Sequence, residues 1–185
     1  VYADGAIAAA GALAIGGDHI TNDIAAGFSL SIKRAELLKR QAGSVLADSS
    51  SHYQRLEIPA EVGFPACSVA ASDLTAIINA RADEIMVMLR DILSGQELNN
   101  ALGAGIILTG GGAHLKGITT WTSGVFDMPC SIGAPVNFSG MASAQEGAEH
   151  AALLGMLRFA VRSSGQRRAE RGRLGGLLKK ILGQA

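Results

Sequence analysis

Three consecutive glycines are the residues whose type and spacing most directly suggest chemistry in this sequence. Gly110, Gly111 and Gly112 follow a short apolar run, Ile106–Leu108, and precede a segment of helical character, Leu115–Phe126. Glycine lets a backbone approach a ligand closely and adopt positive φ, and amides at the start of a helix favour anionic groups. The pattern predicts a strand, a glycine loop and a helix that bind a phosphate or a nucleotide. A tight strand-to-helix turn is nearly as compatible with three glycines alone.

Two common phosphate-binding motifs can be tested against this loop, and neither fits. A dinucleotide-binding fingerprint that begins at Gly110 needs a glycine at position 115, which is Leu115. Gly112 and Gly117 have the spacing of a P-loop, but Ile118 stands where the P-loop requires lysine. The loop is therefore a nucleotide loop of another kind, or a structural turn.

The last segment of the sequence is basic and amphipathic. Its apolar residues recur at the spacing of one helical face: Leu174, Leu177, Leu178, Ile181 and Leu182. The basic residues on the other sides are Arg173, Lys179 and Lys180. Behind an arginine-rich linker, this pattern predicts an interfacial anchor for a membrane of anionic lipids. A helix that docks on its own domain or in a partner's groove is the alternative, which the excess of basic residues disfavours.

The elements that must position these residues alternate between strands and helices. Strands are predicted at Ala6–Ile15, as the second arm of a hairpin after an Asp4-Gly5 turn, and at Tyr53–Pro59, Ile106–Leu108 and Cys130–Ile132. A short helix with Asp18 as its N-cap is predicted to end near Gly27, and a second to run from Ile32 to Gln41 between Ser31 and Gly43. Further helices are predicted at Asp73–Leu93, Leu115–Phe126, Gln145–Arg162 and Leu174–Leu182. The order indicates an α/β protein.

The formal net charge of zero conceals a division of the chain. Residues 1–157 hold 8 basic and 15 acidic residues, whereas residues 158–185 hold 8 basic residues and one acidic residue. A basic end on an acidic body is typical of proteins that meet an anionic partner or surface. Because only 4% of the residues are aromatic, a base-stacking nucleic-acid surface is not expected. No residue set persuasively predicts a metal site.

Four blocks of the sequence, in order, resemble FtsA, a family of bacterial cell-division proteins homologous to actin. Residues 107–118 (ILTGGGAHLKGI) are similar to the adenosine motif of actin-like ATPases, and residues 16–24 (GGDHITNDI) to the helix entry after that family's second phosphate loop. Residues 35–39 (AELLK) resemble its adenine-side helix, and residues 128–135 (MPCSIGAP) the segment that follows its glycine loop. The basic amphipathic tail agrees with the same family.

The resemblance implies part of an actin-like ATPase of the ribonuclease-H-like fold, in which ATP lies between two lobes. It assigns residues 1–25 to part of subdomain IIA, residues 26–101 to subdomain IIB and residues 102–162 to the return to subdomain IIA. Residues 163–172 are then a linker and residues 173–185 the membrane-targeting helix. The chain is expected to be a C-terminal fragment, so most contacts to the phosphates and to Mg²⁺ would lie outside it.

The same resemblance implies the residues of a nucleotide site. Gly110, Gly111 and Gly112 would lie along the ribose and the α-phosphate, and Gly17 beside the phosphates. Glu36 and Lys39 would reach the adenosine, with the carboxylate accepting ribose hydroxyls and the lysine stem packing against the base. These two are three residues apart on a predicted helix and therefore share a face; without the resemblance, a surface ion pair is the better interpretation. His114 is more simply an exposed loop residue than an adenine contact.

The function implied is a division-site protein that self-associates into filaments and tethers FtsZ filaments to the cytoplasmic face of the membrane. The FtsZ C-terminal tail is expected to dock on subdomain IIB, where Arg81 and Arg90 are candidates for an acidic peptide. Any ATP hydrolysis is expected to be slow.

Two other functions remain open. A pilus-assembly or MreB-like scaffold of the actin superfamily would share the glycine loop, although residues 16–24 and the tail favour FtsA. A sugar or acid kinase of the superfamily is less favoured, because the sequence offers no acid/base pair for a sugar.

Overall fold

The computed structural model describes residues 1–3, 5–47, 54–95, 103–136, 138 and 147–164. The chain divides into two compact units, residues 1–133 and 134–185. In the first unit the helices are α1 (Gly17–Phe28), α2 (Ile32–Ala42), α3 (Ala71–Gly95) and α4 (Ile118–Phe126). Its strands are β1 (Tyr2–Ala3), β2 (Ala6–Ile7), β3 (Arg55–Ile58), β4 (Cys67–Ala70), β5 (Ile106–Leu108) and β6 (Cys130–Ile132). In the second unit, a 3₁₀ turn at Ala148–His150 leads into α5, residues 151–164.

The strands pair two by two in the described part of the chain. β1 and β2 form an antiparallel hairpin, and β3 and β4 a longer antiparallel pair with Arg55 opposite Ala70 and Ile58 opposite Cys67. β5 and β6 are parallel, and α4 lies between them in the chain because parallel strands require a crossover connection. A 3₁₀ turn at Gly111–His114 joins β5 to that crossover.

The core of the first unit lies where α1, α2 and α3 pack together against β3 and β4. α1 contributes Ile20 and Ile24 one turn apart, and α3 contributes Leu74 and Ile78 at the same spacing, so each helix presents one apolar face. Ile24, Leu74 and Ile78 are fully buried. α2 begins at Ser31, whose hydroxyl accepts a hydrogen bond from the Arg34 N–H as an N-cap. This packing fixes α2 against α1.

A buried arginine connects α2 to the β3–β4 hairpin. Arg34 is buried, and its guanidinium donates to the carbonyls of Ile58 at 3.4 Å and Pro65 at 3.1 Å. The ring centroid of Phe64 lies 6.0 Å from the guanidinium carbon, within the range of a cation–π contact. The apolar part of the core therefore ends at a charged side chain that main-chain oxygens satisfy in part.

Most of the predicted helices and strands are confirmed, but two predictions at the start of the chain are wrong. The strand predicted over Ala6–Ile15 ends at Ile7. In the described part of the chain its ladder partners are Tyr2 and Ala3, and beyond them Ala8 and Ala9 hydrogen-bond only to the first residue, Val1; alanine has little strand preference of its own. The cap of α1 is Gly16 rather than Asp18. The Gly16 N–H donates to Nδ1 of His19 at 3.2 Å, and Asp18 lies in the first turn.

Two other boundaries differ from the predictions. α4 begins at Ile118, after the separate 3₁₀ turn, because Gly117 has a positive φ that interrupts a continuous helix. α5 continues to residue 164, into the predicted linker. The predicted start of this helix at Gln145 lies outside the described residues. The remainder of that linker and the predicted terminal helix lie outside the described residues.

Candidate functional site

Three side chains from α1 and α2 form one hydrogen-bonded group, which we call the Thr21–Glu36–Lys39 cluster. The Lys39 ammonium donates to Glu36 Oε2 at 2.6 Å, to Thr21 Oγ1 at 2.7 Å and to the Gly17 carbonyl at 3.0 Å. The Thr21 hydroxyl lies 2.6 Å from the same Glu36 oxygen and 3.2 Å from the Gly17 carbonyl. The expectation that Glu36 and Lys39 share a helix face is confirmed.

In the Thr21–Glu36–Lys39 cluster, Thr21 and Lys39 are largely buried, whereas Glu36 is accessible to solvent. Thr21 is 3% exposed, and the side chain of Lys39 is 11% exposed, against 40% for that of Glu36. Both bonds to the carboxylate end on Oε2. Glu36 Oε1 has no hydrogen-bond partner in the described part of the chain, so the accessible end of the cluster carries an acceptor oxygen that the cluster itself does not use.

Opposing effects set the protonation of Glu36. Burial raises the pKa of this carboxyl group, whereas the hydrogen bonds from Lys39 and Thr21 and the charges of Lys39 and Arg40 lower it. The lowering effects prevail, so the pKa lies below the usual value for glutamate. The carboxylate is therefore ionised at neutral pH and remains an acceptor for hydroxyl or N–H donors.

Thr21 is a member of the site that the sequence reasoning missed. It lies one turn after Gly17 on α1, and its hydroxyl meets α2 only because the two helices pack against each other. A threonine on the buried face of a helix carries no local signal that distinguishes it from a core residue. The spacing along the chain therefore could not have revealed this contact.

The glycine loop, residues 110–112, presents backbone without side chains. Gly110 has φ 84° and ψ 178°, a region that is essentially restricted to glycine. Gly111 and Gly112 are exposed, and a Cβ atom built on any of the three would meet no other atom within 4 Å. The space beside this backbone is open, and a ligand could approach the main chain there.

Backbone contacts tie the end of the glycine loop to the end of α2. The Val45 N–H donates to the Lys116 carbonyl at 3.0 Å, and the Ser44 hydroxyl donates to the same oxygen at 3.3 Å. Gly117 has φ +81°, and a Cβ there would lie 2.8 Å from the side chain of Leu46. Ser44 follows Lys39 by five residues and Lys116 follows the loop by four, so these contacts join the segments that come after the two candidate regions.

The two arginines named for an acidic peptide differ in their surroundings. Arg81 binds Asp23 of α1 through two contacts, Nε to Oδ2 at 2.6 Å and Nη2 to Oδ1 at 2.9 Å. It also pairs with Glu84 on its own helix. Arg90 lies exposed further along α3. Arg81 thus links α1 to α3, whereas Arg90 faces solvent.

The sequence of residues 1–155 matches the family model of cell division protein FtsA. The chain belongs to the FtsA family. This membership places it among cell-division proteins and distinguishes it from the kinases and other scaffolds considered above.

Curated FtsA proteins match most of the chain. FtsA of Neisseria meningitidis serogroup B is 30% identical over 166 residues, which cover 89% of this chain and 40% of that protein. FtsA of Rhizobium meliloti is 29% identical over 161 residues, covering 85% of this chain and 36% of that protein. FtsA of Escherichia coli K12 is 28% identical over 166 residues, covering 86% of this chain and 40% of that protein. The chain thus spans well under half the length of these relatives.

Solved structures show the fold. MreB5 of Spiroplasma citri bound to AMPPNP aligns with a TM-score of 0.60 and 18% identity, covering 84% of this chain and 46% of that chain. The same protein bound to ADP aligns with a TM-score of 0.50 and 19% identity, covering 62% of this chain and 38% of that chain. This FtsA-family chain therefore has part of an actin-like fold, as predicted.

The predicted membrane-targeting helix is not among the described residues. Arg173, Leu174, Leu177, Leu178, Lys179, Lys180, Ile181 and Leu182 all lie beyond residue 164, where the described chain ends. Within the described ranges, no helix combines the length and apolarity needed to cross a bilayer.

Proposed function

We propose that this FtsA-family protein binds ATP and tethers FtsZ filaments to the cytoplasmic face of the cell membrane at the division site. One observation carries the nucleotide part of the proposal. Within a single unit that matches the FtsA family, an open glycine loop and the helix α2, which carries a carboxylate with an unused oxygen, are each followed by a short segment, and the two segments hydrogen-bond to each other at Val45 and Lys116. Glycine main chain suits a phosphate or sugar that must come close, and the carboxylate suits hydroxyl groups.

In this proposal the nucleotide contacts are Gly110, Gly111, Gly112, Gly17 and Glu36, with Lys39 beside them. The residues present fit such a ligand, because no side chain fills the space at the loop. The fold neighbour MreB5 is bound to AMPPNP in one structure and to ADP in another, which supports a nucleotide in this fold. No group of three or more metal-binding side chains occurs in the described ranges, so we assign no ligand for Mg²⁺.

The subdomain assignment follows the resemblance. Residues 26–101 would form subdomain IIB and receive the FtsZ tail, while residues 1–25 and 102–162 would belong to subdomain IIA. Arg81 is already bound by Asp23 and Glu84, whereas Arg90 is exposed. We therefore favour Arg90 over Arg81 as a contact for an acidic tail.

The terminal helix would supply the membrane attachment. Its five apolar side chains could contribute on the order of 1.5–3 kcal/mol each if fully buried, and ordering each residue of the helix costs roughly 1–2 kcal/mol. One helix should therefore bind weakly and reversibly. A filament that carries many such helices binds tightly by avidity, which is consistent with a tether that self-associates.

The test is a co-sedimentation experiment with the full-length protein, FtsZ and vesicles rich in anionic lipid. We expect FtsZ to sediment with the vesicles only when the protein is present, and FtsZ that lacks its C-terminal tail to stay in the supernatant. Leu178→Glu should release both proteins from the vesicles, because a carboxylate on the apolar face opposes burial. Gln184→Glu adds the same charge outside that face and should retain most of the binding.

Two outcomes would contradict the proposal. If FtsZ does not sediment with vesicles in the presence of the wild-type protein, the tethering function is wrong. If Leu178→Glu and the wild type sediment equally, the terminal helix is not the anchor.

A further inference from the structure

The Lys39 ammonium has no hydrogen left for a ligand. An ammonium group carries three hydrogens, and three oxygens surround this one: Glu36 Oε2, Thr21 Oγ1 and the Gly17 carbonyl. All three distances are between 2.6 and 3.0 Å, and the side chain is largely buried. To bind a ligand directly, Lys39 would have to give up one of these contacts.

Thr21 stands at the centre of the same group. Its hydroxyl accepts from Lys39, which leaves its single hydrogen to be donated, and Glu36 Oε2 at 2.6 Å is the nearer of the two candidate acceptors. Because Thr21 is 3% exposed, water cannot replace its contacts easily. The hydroxyl therefore joins the lysine to the carboxylate and orients both.

These hydrogen bonds restrict the conformation of the Glu36 side chain. A glutamate side chain that is 40% exposed would normally sample several rotamers, at a cost in entropy when a ligand fixes one. Here two bonds hold Oε2, and Oε1 is left without a partner in the described part of the chain. The carboxylate is thus held in place before any ligand arrives.

We propose that Thr21 and Lys39 are positioning residues, which hold Glu36 so that its Oε1 accepts the ribose hydroxyls of a bound nucleotide. This inference rests on the proposed nucleotide site and gives Lys39 a positioning role, because its ammonium is already bound by Glu36, Thr21 and the Gly17 carbonyl. The cluster also ends on the carbonyl of Gly17 at the start of α1, so the position of the carboxylate depends on both helices.

The experiment measures dissociation constants of the full-length protein for ATP and for 2′,3′-dideoxy-ATP by calorimetry. A site built to bind hydroxyl groups rejects the analogue that lacks them, so the wild type should prefer ATP. Thr21→Val keeps the shape of the side chain and removes the hydroxyl; we expect it to lower the affinity for ATP about tenfold, since a hydrogen bond to a charged group is lost. The affinity for the dideoxy analogue should change much less, so the preference falls.

Two matched variants separate positioning from simple loss of stability. Thr21→Ser restores a hydroxyl and should recover the preference for ATP, whereas Thr75→Val makes the same change at another buried threonine and should leave it unaltered. Lys39→Met keeps most of the apolar stem and removes the ammonium. Lys39→Met should lower the preference for ATP over the dideoxy analogue as Thr21→Val does. The double variant should lower that preference little further, because both substitutions act through Glu36. If melting curves show that Thr21→Val does not fold, Lys39→Met carries the test.

The outcomes distinguish this inference from the proposed function. A wild-type protein that binds no ATP overturns the nucleotide site and the inference together. A wild type that binds ATP and the dideoxy analogue equally overturns the inference alone. The inference alone is also overturned if Thr21→Val lowers the affinities for ATP and for the dideoxy analogue by the same factor. Where Thr21→Val does not fold, the same criterion applies to Lys39→Met.

Discussion

The two parts of the candidate site are built by opposite means. The Thr21–Glu36–Lys39 cluster consists of side chains whose hydrogen bonds are almost all satisfied within the protein. The glycine loop has no side chains and has open space beside its backbone. The cluster is held by hydrogen bonds between specific functional groups, whereas the glycine loop is accessible because it has no side chains.

This difference predicts how each part responds to substitution. In the cluster, removing a polar atom leaves its partners unsatisfied, so the effect depends on chemistry and on pH. In the loop, adding atoms changes either the backbone conformation or the space for a ligand, so the effect depends on geometry. Three substitutions test this contrast, and we take them in decreasing order of expected effect.

The largest effect is expected for Gly110→Ala. Its φ of 84° and ψ of 178° lie where residues other than glycine are strained. The substitution should lower the free energy of unfolding of the full-length protein by about 1–3 kcal/mol, measured by urea denaturation. The cause is conformational, because a Cβ at this position would meet no neighbouring atom.

Gly111→Ala is the matched control for this prediction. Gly111 has no positive φ and also has open space at its Cβ position, so alanine there should be neutral or should stabilise by about 0.4–1 kcal/mol. Equal destabilisation by the two alanines would show that the loop tolerates no side chain for reasons other than backbone strain.

The second effect is expected for Gly112→Val, which tests the open space. Gly112 is exposed and has no positive φ, so the free energy of unfolding should change little. A valine side chain would nevertheless occupy the space beside the backbone, and we expect the affinity for ATP to fall at least about tenfold, or about 1.4 kcal/mol, measured by calorimetry.

Gly124→Val is the control, because Gly124 is an exposed glycine of α4 that also has open space at its Cβ position. It should leave ATP affinity unchanged. If Gly112→Val binds ATP as tightly as the wild type, the loop is a structural turn and the simpler interpretation of the three glycines is right.

The contrast between the two parts also explains how far the sequence could be interpreted. The helices that carry Ile24 and Leu74 follow from apolar spacing, and the Ser31 cap follows from local chemistry, so the sequence predicts these elements well. The glycine loop is a local pattern too, and its place between β5 and α4 was predictable.

What could not be predicted depends on contacts between distant segments. The bonds of Thr21 to α2, and of Val45 to Lys116, require helices and loops to be packed first. The strand predicted over Ala6–Ile15 failed for a related reason, since a strand persists only where a partner pairs with it. The short-range patterns therefore located the candidate residues but not the contacts that orient them.

The smallest effect is expected for Glu36→Gln, and its dependence on pH identifies the cluster. Because Lys39 and Thr21 hold the pKa of Glu36 below its usual value, the charged cluster stabilises the folded protein fully at pH values above the usual glutamate pKa, about 4.3. That contribution is lost as pH falls through the folded-state pKa. The side chain is 40% exposed, so the contribution should be below about 1 kcal/mol.

Urea denaturation at a series of pH values measures this contribution. Glu36→Gln should be less stable than the wild type at pH 7, and the difference should shrink as the pH falls below the usual glutamate pKa. In a Lys39→Met background the trend should flatten or reverse, because burial, which raises the pKa of Glu36, is then opposed mainly by the Thr21 hydrogen bond. A difference between wild type and Glu36→Gln that is the same at every pH, with or without Lys39, would show that the carboxylate gains nothing from the ion pair. In that case the charges of the cluster would not contribute to the stability of the protein, and the proposed contrast with the glycine loop would be wrong.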